Sequence, residues 1–257
     1  MYGNFAGDYD RFVNWKERLA YEMPFIEEQI SQLRGGTDEN LDILDTAAGT
    51  GMHAIALAGG GHRVSAADLF PQMTEIGAEN ALRAKVSVTF KTAGLGDMAA
   101  AFGRGKFDLL LCLGNSLPHL TSSSELNEAL VDFAAVLRPG GMVLIQNRNF
   151  DLVMRARQRW MEPQVYEQDD SEWIFQRFYD FLPGGLIRFN IVTLKRDKDA
   201  AWQTGINSTL LRPQFYAELS QGLSDAGFHT IRAYGSMQGE TFQPESSGNL
   251  ILTARKS

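Results

Sequence analysis

Short apolar strands alternate with helices between residues 41 and 149, and this alternation constrains the fold more than any other feature of the sequence. The segments predicted as strands are 41–45, 62–68, 86–93, 107–114 and 142–149. Helical patterns follow three of them, at 52–58, 70–84 and 125–137. Repeated strand–helix–strand units build parallel sheets with helices on both faces. We therefore predict an α/β fold with a doubly wound, mostly parallel sheet.

The pattern changes on either side of this region. Apolar residues between 9 and 34 recur at three- and four-residue spacing, which predicts an N-terminal helical segment within 1–36. From about 151 to 212 the sequence predicts an antiparallel β insert on the substrate side, with an aromatic-rich hairpin, 172–181 and 186–196, and a possible third strand.

The end of the chain returns to the first pattern. A helix at 213–228 precedes two strands, 229–235 and 249–256, with no helical pattern between them. Two strands joined in this way pair antiparallel, so the last strand is predicted to run against an otherwise parallel sheet. We expect residues 1–257 to form a single domain that includes the insert.

A glycine turn lies between the first strand and the first helix. Residues 45–54 read DTAAGTGMHA. Gly49, Gly51 and Ala54 match the G-x-G-x-x-G/A pattern of dinucleotide-binding turns, and Asp68 follows at the distance of a ribose-binding carboxylate. The pattern alone allows a nicotinamide enzyme, an S-adenosylmethionine enzyme or a turn that only packs.

Carboxylates at the predicted strand ends favour a positively charged cofactor. The carboxyl ends of parallel strands meet at one crevice, and Asp45, Asp68 and Asp97 all lie at or after such ends. A carboxylate at Asp45 would repel a pyrophosphate, whereas S-adenosylmethionine carries a sulfonium and no phosphate. We expect Asp68 to accept from both ribose hydroxyls and Asp97 to accept from the adenine amino group.

Four segments resemble class I S-adenosylmethionine-dependent methyltransferases: LDTAAGTG at 44–51, the acidic strand end at Asp68, GDM at 96–98 and LRPGGMVLI at 137–145. The resemblance implies a Rossmann-like seven-stranded sheet with an antiparallel last strand. It also implies that S-adenosylmethionine is the cofactor and S-adenosylhomocysteine the product. The residues predicted to form the cofactor site are Tyr9, Arg18, Tyr21, Asp45, Ala47, Gly49, Gly51, Asp68, Leu69, Met73, Asp97, Met98, Leu113 and Gly114.

Two further segments, CLGNSLPHL at 112–120 and NRNFD at 147–151, resemble glycine N-methyltransferases. In that family the residues that match Asn115 and Arg148 hold the carboxylate of the amino acid, and the backbone that matches Gly114 faces the transferred methyl group. The resemblance implies N-methylation of a small amino acid such as glycine or sarcosine.

The residues predicted to act on the acceptor each have an alternative role. Arg148 presents a planar fork that suits a carboxylate, or it forms a salt bridge to Asp151. Asn115 is a ligand or a helix cap. His119 positions the acceptor or relays its proton, or it is structural. Tyr166 is predicted to bind the acceptor because aromatic faces attract cations, or it packs the hairpin onto the core sheet.

Composition limits the remaining classes of function. The net charge of −7 opposes binding to nucleic acid or to an anionic membrane surface. The single cysteine, Cys112, lies in an apolar run and is predicted to be a buried thiol, and the histidines lack metal-ligand spacing. Because neither a signal peptide nor a membrane span is evident, we expect a cytoplasmic protein that acts on a small molecule, as a monomer or a homo-oligomer.

Three alternatives stay open at this point. The first is O- or C-methylation of a larger metabolite, for which His119 is the candidate base. The second is an S-adenosylmethionine-binding protein without turnover. The third is a nicotinamide oxidoreductase, although the sequence has no evident histidine with an orienting carboxylate.

Overall fold

The computed structural model describes residues 10–35 and 39–257, which form a seven-stranded sheet and a separate four-stranded sheet. The strands of the larger sheet are β1 (Asp42–Thr46), β2 (Arg63–Asp68), β3 (Val88–Thr92), β4 (Phe107–Cys112), β5 (Leu137–Arg148), β10 (Phe228–Tyr234) and β11 (Asn249–Lys256). Their order is β10-β11-β5-β4-β1-β2-β3. Strand β11 pairs antiparallel with β10 and β5, and the other neighbouring pairs are parallel. The predicted fold and its antiparallel last strand are confirmed.

Helices cover both faces of this sheet. They are α1 (Trp15–Arg34), α2 (Met52–Gly59), α3 (Pro71–Ala84), α4 (Met98–Phe102), α5 (Ser123–Val136), α6 (Phe150–Ala156) and α7 (Tyr216–Asp225). Residues of α1 and α2, such as Ile26 and Leu57, belong to one buried cluster. Residues of α5 and α7, such as Phe133 and Leu223, belong to the other.

Strand β4 shows why the apolar run forms a central strand. Its successive side chains alternate between the two clusters: Leu109 and Leu111 face one, and Leu110 and Cys112 face the other. A strand that is buried on both faces requires such a continuous apolar sequence. Cys112 is fully buried, as predicted, and burial raises the pKa of its thiol to about 12.

Some elements differ from the prediction. The fifth strand does not begin after the Pro-Gly-Gly segment but at Leu137, which pairs with Phe107 before the register shifts. The short helices α4 and α6 were missed because five and seven residues are too few to show a helical period. Asn149 caps α6, since its side chain accepts from the amide of Leu152 at 3.2 Å.

The insert is an antiparallel sheet of β6 (Gln164–Gln168), β7 (Ser171–Phe181), β8 (Ile187–Asp197) and β9 (Gln203–Leu211). The predicted hairpin and the third strand are confirmed, and β6 is an additional edge strand. Tyr179, Ile187 and Leu211 pack against Phe150 of α6, while Phe175 contacts Phe12 of the N-terminal segment. The insert therefore packs against α6 and against the N-terminal segment.

A membrane-spanning helix is not found in the described ranges, because none of their helices is both long and apolar enough. The same residues contain no group of three or more His, Cys, Asp or Glu side chains that could hold a metal ion.

Candidate active site

Two cavities lie at the carboxyl ends of the central strands, where the strand order reverses between β1 and β4. Ligands bind at this edge in open α/β sheets. The glycine-turn cavity has a volume of about 330 Å³ and is lined by residues that include Ala47, Gly49 and Asp68. The arginine cavity has a volume of about 720 Å³ and its lining includes Arg148. Gly114 is the residue that lines both, so the two cavities meet at this position.

The glycine turn has a left-handed backbone at three positions, with φ of 52° at Ala47, 57° at Gly49 and 77° at Gly51. A Cβ at Gly51 would lie 2.6 Å from the ring of Phe90, so this glycine allows the turn to pack against β3. Ala47 carries a Cβ in a conformation that disfavours one. The left-handed conformation of the turn therefore depends on contacts with the surrounding structure as well as on the conformational freedom of glycine.

The amide groups of both glycines of the turn are already bonded within the protein. Gly49 donates to Asp68 Oδ2 at 2.9 Å, and Gly51 donates to the carbonyl of Ala48 at 3.0 Å. Asp68 Oδ1 accepts from the amide of Phe70 at 3.0 Å. A pyrophosphate needs free amides at such a turn, so these bonds argue against a dinucleotide. Burial raises the pKa of Asp68, and the amide hydrogen bonds offset part of this effect.

Asp45 lies buried at the end of β1, behind the turn. Its Oδ2 atom has no hydrogen-bond partner among the residues that the structure describes. Burial raises the pKa of Asp45 to about 6, although the charges of His53 and Arg18 oppose this rise and that of Asp68 adds to it. A buried carboxylate oxygen without a partner, close to a second acidic group, favours a positively charged ligand.

The other predicted cofactor residues fall into two groups. Leu69 and Met73 line the glycine-turn cavity, as does Gly114. Asp97 and Met98 line neither cavity, and the same is true of Asp45, Gly51 and Leu113. Asp97 is exposed, whereas the buried Met98 donates its amide to Asp132 Oδ2 at 2.6 Å. Leu113, the residue that follows β4, is buried in the core. The assignment of adenine to Asp97 therefore has no support from cavity lining.

The loop after β4 is bonded to the end of β5. Gly114 donates its amide to Gln146 Oε1 at 3.0 Å, and Asn115 donates to the Gln146 carbonyl at 3.0 Å. In return, Asn115 Oδ1 accepts from the amide of Arg148 at 2.9 Å. Gly114 and Asn115 have φ of 72° and 67°. Because Asn tolerates this conformation better than most residues, the sequence Gly-Asn suits the sharp reversal here.

Arg148 ends β5 and lines the arginine cavity. The alternative salt bridge to Asp151 is not formed, since Asp151 Oδ2 instead accepts from the amide of Tyr216 at 3.0 Å. Within the described part of the chain, the buried Nε of Arg148 has no hydrogen-bond partner. A guanidinium that lines a cavity without a carboxylate partner is a suitable site for an anionic group.

A buried polar network connects α1 to this loop, and sequence reasoning missed most of it. Glu22 Oε2 accepts from Arg18 Nε at 3.0 Å and from His53 Nε2 at 2.7 Å, and its Oε1 accepts from Gln146 Nε2 at 2.8 Å. Burial alone would raise the pKa of Glu22, but the hydrogen bond from His53 and the positive charge of Arg18 lower it to about 2. Glu22 is therefore an ionised carboxylate. The i,i+4 pair Arg18–Glu22 was the available sequence signal.

Arg18 and Tyr21 were predicted at the cofactor, but both line the arginine cavity. The Arg18 side chain also approaches the loop: its Nη2 lies 3.2 Å from the position that a Cβ on Gly114 would take. Tyr179 and Arg177 of β7 line the same cavity and were not predicted as site residues. Burial raises the pKa of Tyr179, and the charges of Arg148 and Arg177 oppose it. Aromatic residues of a strand carry no sequence signal that separates packing from binding.

The last three predicted residues lie elsewhere. His119 ends a short 3-10 helix (Leu117–His119) and lines the glycine-turn cavity, not the arginine cavity. Burial lowers its pKa to about 4, so the imidazole is neutral near pH 7. Tyr166 lines an adjoining cavity of about 410 Å³ and packs edge-on against Trp173. Tyr9 lies outside the described residues.

Part of the chain matches a known domain, and the whole chain is similar to known enzymes. Residues 43–141 match the model of a methyltransferase domain. The chain is similar to the glycine/sarcosine/dimethylglycine N-methyltransferase of Actinopolyspora halophila, with 29% identity over 99% of this chain and 42% of that protein. It is also similar to the glycine/sarcosine N-methyltransferase of Aphanothece halophytica, with 27% identity over 98% of this chain and 88% of that protein.

A solved structure shows the same fold. It is an S-adenosylmethionine-dependent methyltransferase from Clostridium acetobutylicum, which superimposes with a TM-score of 0.78 at 16% identity and covers 100% of this chain and 99% of that one. Residues 43–141 thus match a methyltransferase domain, and the fold of the chain is that of the S-adenosylmethionine-dependent methyltransferase on which it superimposes. The chain spans less than half the length of the Actinopolyspora relative.

The site agrees with this cofactor. The turn amides of Gly49 and Gly51 are bonded internally, and Asp45 offers a buried acceptor without a partner. A ligand that has ribose hydroxyls and positive charges but no phosphate fits both observations. A nicotinamide cofactor does not, and this alternative is set aside.

Proposed function

We propose that the protein transfers a methyl group from S-adenosylmethionine to the amine of a small carboxylate-bearing acceptor such as glycine or sarcosine. The observation that carries the proposal is Arg148, a cavity-lining guanidinium without an ion pair among the described residues. The side-chain oxygen of Asn115 accepts from the backbone amide of Arg148. The side-chain NH2 group of Asn115 is therefore left to donate to the carboxylate that Arg148 would bind. The names of the two relatives support the same substrate class.

The proposed site places donor and acceptor on opposite sides of Gly114. Asp68, which lines the glycine-turn cavity, would hold the ribose, and the buried Asp45, which is not among the lining residues, would act on the positive end of the cofactor through its charge. Bound S-adenosylmethionine would supply a methyl group that leaves a sulfonium, so the acceptor nitrogen needs only a free lone pair and alignment. Arg148 would provide that alignment by fixing the carboxylate in the arginine cavity, and the acceptor nitrogen would meet the methyl group beside Gly114, where the two cavities join.

A larger amine is the second candidate, because the arginine cavity has a volume of about 720 Å³ and an aromatic wall that includes Trp160 and Phe189. Cavities of several hundred Å³ hold ligands much larger than glycine. The hydroxyl-acceptor alternative has less support. Its candidate base, His119, lines the other cavity, and its pKa of about 4 makes it a weak base.

The experiment is product analysis by mass spectrometry after incubation with S-adenosylmethionine and glycine, sarcosine or larger amines. We expect methylated glycine or sarcosine from the natural protein, and a Michaelis constant raised at least about tenfold by Arg148→Ala, since a charge-assisted pair contributes about 1.5–3 kcal/mol. Arg188→Ala is the matched control, because Arg188 is exposed and lines neither cavity. Equal effects of the two variants would refute the role of Arg148. Methylation of larger amines only would refute the glycine-like acceptor.

A further inference from the structure

Three hydrogen bonds of Gln146 bear on the junction of the two cavities. Its side-chain oxygen and its carbonyl accept from the consecutive amides of Gly114 and Asn115, each at 3.0 Å. Its side-chain nitrogen donates to Glu22 Oε1 at 2.8 Å. Two consecutive residues of the loop that borders both ligand cavities are therefore held by Gln146 of β5, and the Gln146 side chain is itself bonded to Glu22 of α1.

We propose that Glu22 and Gln146 are positioning residues for methyl transfer, because the charge of Glu22 sets the direction of the Gln146 carboxamide and so holds the Gly114–Asn115 loop in place. The proposal rests on the placement of donor and acceptor on the two sides of Gly114, as in the proposed function. It does not depend on which acceptor is used.

The direction of the hydrogen bonds explains why a charge is needed. A carboxamide can be turned over so that its oxygen and nitrogen exchange places. Glu22 only accepts, so it forces the nitrogen of Gln146 towards itself and the oxygen towards the Gly114 amide. Arg18 and His53 donate to the same carboxylate and keep it ionised. A neutral residue at position 22 would remove this preference.

The loop needs such support because its conformation is unfavourable by itself. Asn115 has a left-handed φ of 67°, which follows directly on the φ of 72° at Gly114. A shift of about 1 Å in a group that aligns reactants can lower a rate by two orders of magnitude. The expected consequence of a freed loop is a lower kcat, with a smaller effect on the Michaelis constant.

Three variants test the direction of the hydrogen bonds that run from Glu22 through Gln146 to Gly114. In Glu22→Gln, two amide groups face each other and one donor is left opposed to another donor. In Gln146→Glu, two carboxylates face each other at the same contact. The double exchange, Glu22→Gln with Gln146→Glu, restores a donor opposite each acceptor: the new glutamate accepts from Gly114 and from the new glutamine, whose oxygen faces Arg18 and His53.

The matched control is Arg138→Gln. Arg138 pairs with Asp42 at 2.8 Å and with Asp108 at 2.6 Å, at the opposite edge of the sheet and in the same strand, β5. This variant also breaks a charged network of the core sheet, but it is remote from both cavities. Thermal melting gives the unfolding temperature of each variant, and turnover is measured at a temperature at which all variants are folded.

Two readouts are compared. Steady-state kinetics should show kcat lowered at least about tenfold in each single variant, and recovered by about tenfold in the double exchange, with the acceptor Michaelis constant within about threefold of the natural value. Hydrogen exchange of residues 112–120 should be faster in both single variants and restored in the double exchange. The Arg138→Gln control should change neither kcat nor the hydrogen exchange of residues 112–120.

The outcomes separate this inference from the proposed function. If the natural protein methylates an amino acid but the single variants keep its kcat, or the double exchange recovers nothing, the positioning role is refuted and the acceptor stands. If no amino acid is methylated, the acceptor is refuted. Exchange of residues 112–120 then decides the inference, because unchanged protection in Glu22→Gln would refute it and loss followed by restoration would support it.

Discussion

Asp45 is a buried carboxylate that should cost the ligand-free protein stability near neutral pH. Burial raises its pKa from 3.8 to about 6. A carboxyl group with a raised pKa binds its proton more tightly when folded, so the ionised form destabilises the fold. The penalty is absent below the unfolded pKa, near pH 4, and it grows as the pH rises to about 6. Above that pH it is fully present.

The magnitude follows from the difference in pKa. About two pKa units, at about 1.4 kcal/mol each, give about 3 kcal/mol as an upper value. Asp45→Asn removes the charge and keeps an oxygen that can accept from the amide of Ala54. We therefore expect Asp45→Asn to raise the free energy of unfolding by about 1–3 kcal/mol near pH 8 and to leave it unchanged near pH 4.

The assay is denaturant unfolding at both pH values, with Asp42→Asn as the control of opposite sign. Hydrogen bonds from Arg63 and Arg138 lower the pKa of Asp42, with burial opposing them. A carboxyl with a lowered pKa adds stability above its unfolded pKa, and this stability is lost as the pH falls through the folded pKa. Asp42→Asn should therefore destabilise the protein near pH 8. A destabilised Asp45→Asn variant at pH 8, or an equal gain at both pH values, would refute the reasoning.

The same substitution separates stability from function. If Asp45 faces the positive end of the cofactor, the bound ligand stabilises the ionised carboxylate that the free protein disfavours. Asp45→Asn should then bind S-adenosylmethionine more weakly while it melts at a higher temperature near pH 8. Calorimetric titration measures the first effect. Unchanged affinity would remove Asp45 from the proposed cofactor site, although its effect on stability would stand.

Three further predictions concern single positions. Gly51→Ala should destabilise the protein by about 2 kcal/mol or more in denaturant unfolding, because the new Cβ lies 2.6 Å from Phe90 at a left-handed φ; a neutral effect would show that Phe90 can move freely. Ser122→Ala should cost about 1 kcal/mol, since Ser122 and Glu125 form both bonds of a capping box at α5, and an unchanged melting temperature would contradict this. His119→Gln should keep kcat within about tenfold between about pH 6 and 9, because its pKa of about 4 leaves no titration there; loss of turnover would favour the hydroxyl acceptor.

The sequence predicts the parts of the fold that depend on neighbours in the chain. The strands and helices of the sheet follow from apolar periodicity, and the capping box of Ser122 and Glu125 follows from a pattern of four residues. The antiparallel β11 follows from the missing helix before it. Element boundaries were less certain, as the start of β5 shows. There the chain enters the sheet at Leu137, directly after α5, and carries Pro-Gly-Gly within the strand.

The sequence predicts the site less completely, because its contacts join distant segments. The glycine turn and Asp68 belong to one strand–helix–strand unit, so their spacing could be read directly. Glu22 and Gln146 are separated by 124 positions and meet only because α1 packs on the sheet beside the end of β5. No local pattern distinguishes a glutamate in a buried network from one on a solvated helix face. The same limit applies to Tyr179, whose β-strand context favours packing and binding alike.

The two sides of the proposed site are therefore built from different segments of the chain. The glycine-turn cavity is built mainly from residues 47–120, whereas the arginine cavity combines α1, the end of β5 and the insert. Substitutions in α1 or the insert can reshape the acceptor side while the glycine turn and Asp68 stay intact. A shared cofactor turn is thus weak evidence for a shared acceptor, and identity of the acceptor has to be argued from Arg148 and the residues around it. Gly114 is where the two sides meet, so changes that reach it, from Glu22 or Gln146, should affect transfer whichever acceptor is bound.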